Sequence, residues 1–404
     1  MARFRPLAVM VLFLFPALAP AAGHFRYTEA THGRGELKYV NGLPVLSVAG
    51  TPEEIGEQIG VLTAKHMDRL VSYPKTLLKQ AGWESGWPAL VRLSNALLAQ
   101  CPADHRKELD AIAKHSRVDR DLIVVGNTLP DIMKIAGCST LVVEPSRSAV
   151  KGPLFGRNLD YPTLGFLQDY TLVTVYRPNG KHAFVSIGFP GMVGCLSGMN
   201  DAGLAVATLE VYSSKDGSPR LDFKGTPYTF CFRRLLEECA TVAEAEKLLR
   251  SMKRTTMNNL AVCDKQGGAV FEITSKNVVV RRSEEAICAC TNHFRTPALA
   301  TVRAEALAGL KNDRRFACLV GGVKEYRQKA GGLPRLGLAD VARRLHAANQ
   351  GELTLQTMIF EPAALRLHLA CGKTPSSALP MKALELGPLF KVRHEEKQKA
   401  ASRG

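Results

Sequence analysis

Cys138 lies in Gly137-Cys138-Ser139-Thr140, where a helical pattern gives way to short strand-like runs. A thiol there can attack a carbonyl once a neighbouring base takes its proton. Taken alone, it reads equally as one more small buried hydrophobe. Three later motifs change the weighting: Phe155-Gly156-Arg157-Asn158-Leu159-Asp160, Gly198-Met199-Asn200-Asp201-Ala202-Gly203-Leu204 and Thr291-Asn292-His293-Phe294. Polar residues at the ends of apolar runs are ordinarily solvated turn residues. Converging on a cysteine, they would build a catalytic cleft. Metal chemistry has no comparable support, because the chain holds no Cys-x-x-Cys and no His-x-x-x-His, and Cys288-x-Cys290 lacks partners at usable spacing. Glycine-rich phosphate loops are absent too, so neither a metal nor a cofactor is expected.

The elements that must position these residues fall into two parts. Residues 22–137 read mostly as helices. Thr51-Pro52-Glu53-Glu54 is a helix start with a capping box, and Ile55, Ile59 and Leu62 follow at helical spacing. Leu90, Leu93, Leu97 and Leu98 mark another helix, and a third begins near Pro102. Asp119 can cap a fourth, and Trp83 and Trp87 are expected to fill space between helices. From Gly137 the period changes. Apolar runs at 139–144, 154–159, 170–176, 183–189 and 203–211 alternate with Pro-, Asn- and Gly-containing turns. Helices follow at 228–236 and 242–252, and strands resume at 260–263, 269–274, 278–282, 286–291, 355–360 and 365–370. Hairpins with clustered helices point to an α+β fold and away from a βαβ nucleotide-binding sheet.

Composition bounds the class. The 404 residues are 46% apolar and 22% charged, which excludes a disordered or collagenous chain. The net charge of +16 is spread without a dense basic run, so nucleic acid is not an expected partner. Arg3 and Arg5, the apolar run Leu7 to Phe15, and Ala19-Pro20-Ala21 form a signal-peptide pattern over residues 1–21. Export to a secreted or periplasmic location is therefore expected, with no transmembrane segment in the remaining chain. Ten cysteines are too few for a disulfide scaffold of this length. Residues 391–404 form a charged tail.

These motifs, with Gly50 to Gly56, Glu108 to Asn127 and the closing hairpin Phe360 to Gly372, carry a resemblance over about 50–377. The chain resembles the N-terminal-nucleophile hydrolases of the acyl-coenzyme A:isopenicillin N acyltransferase type. That group is related to choloylglycine hydrolases, penicillin V acylases and acid-ceramidase-like amidases. The resemblance implies an αββα sandwich of two stacked, mainly antiparallel sheets. It also implies self-cleavage between Gly137 and Cys138. A helical segment 22–137 and a β chain 138–390 would then remain associated, with Cys138 as an N-terminal nucleophile whose own α-amino group is the base.

By position, the resemblance gives Arg157 the task of holding the thiolate and Asp160 that of orienting the new ammonium. Residues three apart on a flat strand face opposite ways, so both reach Cys138 only if the strand ends or bulges near Asn158. Asn292 matches the family's oxyanion donor. Glu210 stands where several relatives carry Asn, and its charge would oppose an oxyanion unless protonated. Asn200 and Arg315 are further candidates, Arg315 being an equal match to a solvated helix face, and His293 reads as structural. The substrate expected is a small N-acylated amide. The rivals are a papain-like Cys138/His293 protease, which lacks the Cys-Gly-Ser-Cys-Trp signature, and a non-catalytic secreted basic protein. The acyl group and the oligomeric state have no code in the sequence.

Overall fold

The computed structural model of the chain describes residues 25–301, 311–321 and 333–391. The expected signal peptide and nearly all of the charged tail lie outside these residues.

The chain opens with three strands, β1 (Ala30–His32), β2 (Gly35–Val40) and β3 (Leu43–Gly50), where the helical reading of 22–137 had assigned none. Five helices follow: α1 (Pro52–Leu70), α2 (Tyr73–Gln80), α3 (Trp87–Leu98), α4 (Ala103–Ser116) and α5 (Arg120–Met133). The capping box at α1 forms as expected: Glu54 N–H donates to Thr51 Oγ1 (3.2 Å) and Thr51 N–H to Glu54 Oε2 (2.7 Å). Asp119 caps α5 through the N–H of Asp121 at 2.9 Å. Trp83 fills no gap; it is 46% exposed.

Beyond α5 come β4 (Gly137–Val143), β5 (Leu154–Asp160), β6 (Leu172–Pro178), β7 (Phe184–Gly188), β8 (Ser197–Asn200) and β9 (Ala205–Glu210). Helices α6 (Tyr228–Glu238) and α7 (Val242–Ser251) precede β10 (Asn258–Asp264), β11 (Gly267–Ile273), β12 (Val278–Arg281) and β13 (Ile287–Cys290). Among the described residues there follow α8 (Asn312–Val320), α9 (Leu338–Ala347), β14 (Thr354–Glu361), β15 (Arg366–Cys371), β16 (Lys382–Glu385) and the short α10 (Leu386–Phe390).

The strands form two sheets. One has ten strands in the order β1-β2-β3-β6-β7-β8-β9-β10-β11-β12, and the other six, β13-β4-β5-β14-β15-β16. Among the described strands only the β3–β6 pair is parallel, with Val45 opposite Val173. Strand β4 packs across the sheet gap on β9, β10 and β11. Helices α1, α6 and α7 cover the large sheet, and α8 and α9 cover the small one. The result is α+β in four αββα layers. Between the sheets the apolar side chains of β4, β5, β9, β10 and β11 make a continuous core that includes Val142, Phe155, Ala207, Ala261 and Val270, all fully buried. Burying this layer stabilises the fold by roughly 25 cal/mol per Å² of apolar surface removed from water.

Candidate active site

Cys138 is the second residue of β4 and is wholly buried, at the end of the strand where α5 hands the chain to the small sheet. Gly137, just before it, has no room for a side chain. A Cβ there would stand 2.1 Å from Gln350 Nε2 and 3.2 Å from Asp160 Cβ. Glycine at this position therefore allows the close backbone approach that the motif suggested.

Asn292, two residues past β13, meets Cys138 directly. Its Oδ1 accepts the Cys138 N–H at 2.7 Å, and its Nδ2 donates to Glu210 O at 2.9 Å and to Ala136 O at 3.4 Å. The side chain that family position assigned to the oxyanion thus also holds the nitrogen that self-cleavage would free. Arg315 on α8 is no solvated face residue: it is 4% exposed. Its Nη1 donates to Cys138 O (2.7 Å), its Nη2 to Asn292 Oδ1 (2.8 Å), and it stands 3.6 Å from Asp160 Oδ2.

Along β5 the register is regular opposite β4, with Cys138 across from Leu159, Thr140 from Arg157 and Gly137 from Asp160. Cross-strand partners share a face. Arg157 therefore lies on the Cys138 side, in the gap between sheets, and Asp160 on the helix-covered side. Arg157 Nε donates to Ser197 Oγ (2.6 Å) and Nη1 to Thr208 O (2.9 Å), so β8 and β9 of the large sheet fix it. Asp160 instead accepts from Thr354 Oγ1 (2.6 Å) and Gln350 Nε2 (3.4 Å). No bulge near Asn158 turns the two together; the register shift lies on β14, between Thr354 and Gln356. Asp160 reaches the Cys138 main chain through Arg315.

Glu210 closes β9. Its Oε2 accepts the Ala136 N–H at 2.8 Å and its Oε1 lies 3.3 Å from the Tyr228 hydroxyl. Tyr212 donates to Ala136 O at 2.9 Å. Asn200 stands apart. Its amide serves the carbonyls of Leu236 (3.0 Å) and Cys239 (2.7 Å) and the N–H of Leu204 (2.9 Å), tying the β8–β9 turn to the end of α6. It is a structural residue, because every polar atom of its side chain is committed to that turn. The His293 ring contacts Thr291 Oγ1 at 3.0 Å and Asp313 at 3.5 Å.

Burial shapes the electrostatics. It pushes the Cys138 thiol up, while the Arg157 guanidinium draws it down and the Asp160 and Glu210 charges add to the rise. Asp160 is raised by burial against the pull of Arg315 and the Thr354 hydroxyl. Glu210 is raised to about 7, burial outweighing Lys134, the Ala136 N–H and Tyr228. A Glu210 about half protonated at neutral pH weakens the objection to a carboxyl beside a developing oxyanion.

A cavity of about 110 Å³ opens beside the thiol. Cys138, Thr208, Glu210 and Tyr228 line its polar end, and Met67, Leu70, Ile123, Leu129, Leu167 and Met192 are among its apolar walls. Asn127, in the family-like stretch of α5, shapes the wall by donating to Gly191 O (2.9 Å) and accepting from Val193 N–H (2.7 Å).

Several supports had no sequence signal. Asn259 Nδ2 donates to Thr291 O (3.0 Å) and His293 O (2.9 Å), clamping both neighbours of Asn292. Asn312 Oδ1 accepts from Asn292 N–H (3.1 Å) and Arg315 Nη2 (2.8 Å). Thr354 and Gln350 hold Asp160. Only the tertiary fold brings these residues to the site.

Residues 148–314 match the family model described as acyl-coenzyme A:6-aminopenicillanic acid acyl-transferase. The match takes in Arg157, Asp160, Glu210 and Asn292, and lies between Cys138 on one side and Arg315 on the other. Over 275 residues the chain is 24% identical to an uncharacterized protein of Archaeoglobus fulgidus, covering 60% of this chain and 45% of that one. The chain thus spans under half the length of this relative. Among solved structures it is similar to a Caenorhabditis elegans N-acylethanolamine-hydrolyzing acid amidase ortholog, at 18% identity and a TM-score of 0.41, covering 56% of this chain and 93% of that one. It is also similar to the C2A mutant of conjugated bile acid hydrolase from Clostridium perfringens, at 15% identity and a TM-score of 0.43, covering 63% and 94%. Penicillin V acylase of Agrobacterium tumefaciens is matched at 15% identity and a TM-score of 0.37, covering 59% and 84%.

Proposed function

We propose that this chain, whose residues 148–314 belong to the acyl-coenzyme A:6-aminopenicillanic acid acyl-transferase family, is an exported, self-processing cysteine amidohydrolase. The observation that carries the reading is the 2.7 Å contact from the Cys138 N–H to Asn292 Oδ1, with the same cysteine lining a largely apolar cavity.

In self-processing, Cys138 Sγ attacks the Gly137 carbonyl, the thiol proton passes to the Cys138 nitrogen, and the C–N bond breaks. Water then hydrolyses the thioester, leaving a Gly137 carboxylate and a Cys138 that carries both amine and thiol. That amine supplies the base a buried, raised thiol requires. In turnover it takes the thiol proton, sulfur bonds to the substrate carbonyl carbon, and the amine half leaves with the proton. Water resolves the acyl thioester into a carboxylic acid and restores the thiol. Arg157 favours the thiolate, and the Asn292 amide stands beside the reacting centre to stabilise negative charge.

The aliphatic and aromatic cavity wall supports a substrate with an apolar acyl group of modest size on an amide nitrogen. Hydrolysis is favoured over acyl transfer, since water is abundant outside a cell and coenzyme A thioesters are not. After processing, the two fragments stay associated.

Intact mass and N-terminal sequencing of the purified protein test the reading. N-termini at residue 22 and at Cys138 are the expected result, with only the first present in Cys138→Ala. A chain whole across Gly137-Cys138, or full hydrolysis of an N-acyl amide panel by Cys138→Ala, would overturn it.

A further inference from the structure

Three residues before the expected cut, Lys134 turns the chain out of α5 with φ at +49°, a conformation uncommon for a residue with a side chain. Its ammonium is buried and donates to Val211 O at 3.0 Å and to Met257 O. Those carbonyls sit just after β9 and just before β10. Ala136, two residues on, is held on both sides: its N–H by Glu210, and its carbonyl by Tyr212 and Asn292. Each of these holds on 134–136 comes from a residue on the far side of the Gly137–Cys138 bond.

A buried ammonium carries a desolvation cost, whereas an apolar side chain of similar length would fill the same space without it. The lysine is held by directed contacts that an apolar residue could not make. Two carboxyls offset its charge, Asp131 from α5 and Glu210 from β9, while Arg220 from the β9–α6 loop opposes it. Asp131 is itself fixed by the Tyr228 N–H at 3.1 Å and the Thr255 hydroxyl. The ammonium thus has directed acceptors ahead of it and compensating charge beside it, and it joins the end of α5 to two strand ends at a fixed distance from Cys138.

We propose that Lys134 is the positioning residue for cleavage of the Gly137–Cys138 bond: by pinning the α5 exit to the ends of β9 and β10, it presents the Gly137 carbonyl to the thiol. The inference rests on the self-processing reading. Its role ends with the cut, because the reacting atoms of turnover lie on Cys138 and its neighbours and Lys134 does not line the cavity.

The test is the rate at which freshly purified full-length chain separates into two fragments, read by intact mass, alongside kcat and KM of the fraction already cleaved. Lys134→Met is expected to slow cleavage about a hundredfold, the size of effect a misplacement near 1 Å produces, while its cleaved fraction keeps wild-type kcat/KM. Lys134→Arg keeps the charge but reaches the two carbonyls differently, and about a tenfold slowing is expected; it serves alone if Lys134→Met does not fold. Wild-type cleavage rates in the folded variants would overturn the inference. An equal loss of kcat/KM in the cleaved fraction would also overturn it, by placing Lys134 in turnover. A wild-type chain that never cleaves would instead overturn the self-processing reading itself.

Discussion

Arg157 and Asp160 lie three residues apart on β5 and face opposite sides of the small sheet, Arg157 toward Ser197 and Thr208 and Asp160 toward Thr354 and Arg315. They act on Cys138 by separate routes, one on the sulfur and the other, through Arg315, on the main chain. Their substitutions should therefore have different signatures.

Replacing Arg157 by Leu removes the positive charge that lowers the thiol. The pH at which iodoacetamide alkylates Cys138 should move upward, in the direction that burial already pushes it. An unchanged alkylation profile in a folded Arg157→Leu variant would refute this role.

Asn292→Ala removes both the acceptor for the Cys138 nitrogen and the amide donor beside it. A fall in kcat of about a hundred- to a thousandfold is expected, with KM less affected. Measured kcat within a factor of about three of wild type would refute the assignment, since that is far less than a lost oxyanion donor produces.

Glu210 has an ordinary value of 4.5 and is held at about 7 in the fold. Between those values the unfolded chain binds fewer protons at this site than the folded one, so its contribution to stability falls as pH rises from about 4.5 to about 7. Glu210→Gln, which can still accept from Ala136, should flatten that slope. Urea denaturation midpoints across pH 4 to 8 are the measurement, and a slope unaltered by the substitution would count against it.

The buried pair Arg233–Glu108 joins α6 to α4 by two bonds of 2.8 and 2.6 Å, and Arg233 also reaches Glu237 at 2.8 Å. Arg233→Met leaves Glu108 buried without its cation, while Glu237 keeps Lys181 at 3.0 Å, at a cost of about 3–5 kcal/mol. Chemical denaturation should show this loss. If cleavage occurs, the same variant should also release the 22–137 fragment at lower denaturant than wild type.

Gly126 lines the cavity, and a Cβ there would meet nothing within 4 Å. Gly126→Leu should add about 0.5–1 kcal/mol of helix stability while shortening the space for an acyl group. The KM for long-chain amides should rise and that for short ones stay near wild type. A chain-length profile identical to wild type would place the acyl group elsewhere.

The sequence made the helix starts legible, because a capping box such as Thr51–Glu54 is local chemistry. It also made the Cys138 junction legible, because the hydrophobic period changes there. The first three strands were not: β1 and β2 are short and carry polar faces, and β3 finds its parallel partner more than a hundred residues away. Asn200 was misplaced because a polar motif at a strand end has the same appearance whether it serves a turn or a site. Lys134 and Asn259 were missed for the converse reason. Their partners are main-chain carbonyls of remote residues, and a carbonyl carries no letter in the sequence.

The parallel β3–β6 pairing has one more consequence. It seats strands from before Cys138 along one edge of a sheet otherwise built from strands that come after it. A cut at Gly137–Cys138 would therefore divide the covalent chain without dividing any structural layer. The two pieces would share the ten-stranded sheet, the first supplying its β1–β2–β3 edge, while the six-stranded sheet comes from the second. Assembly must then come before scission, and fragments expressed apart should regain structure only by complementing each other.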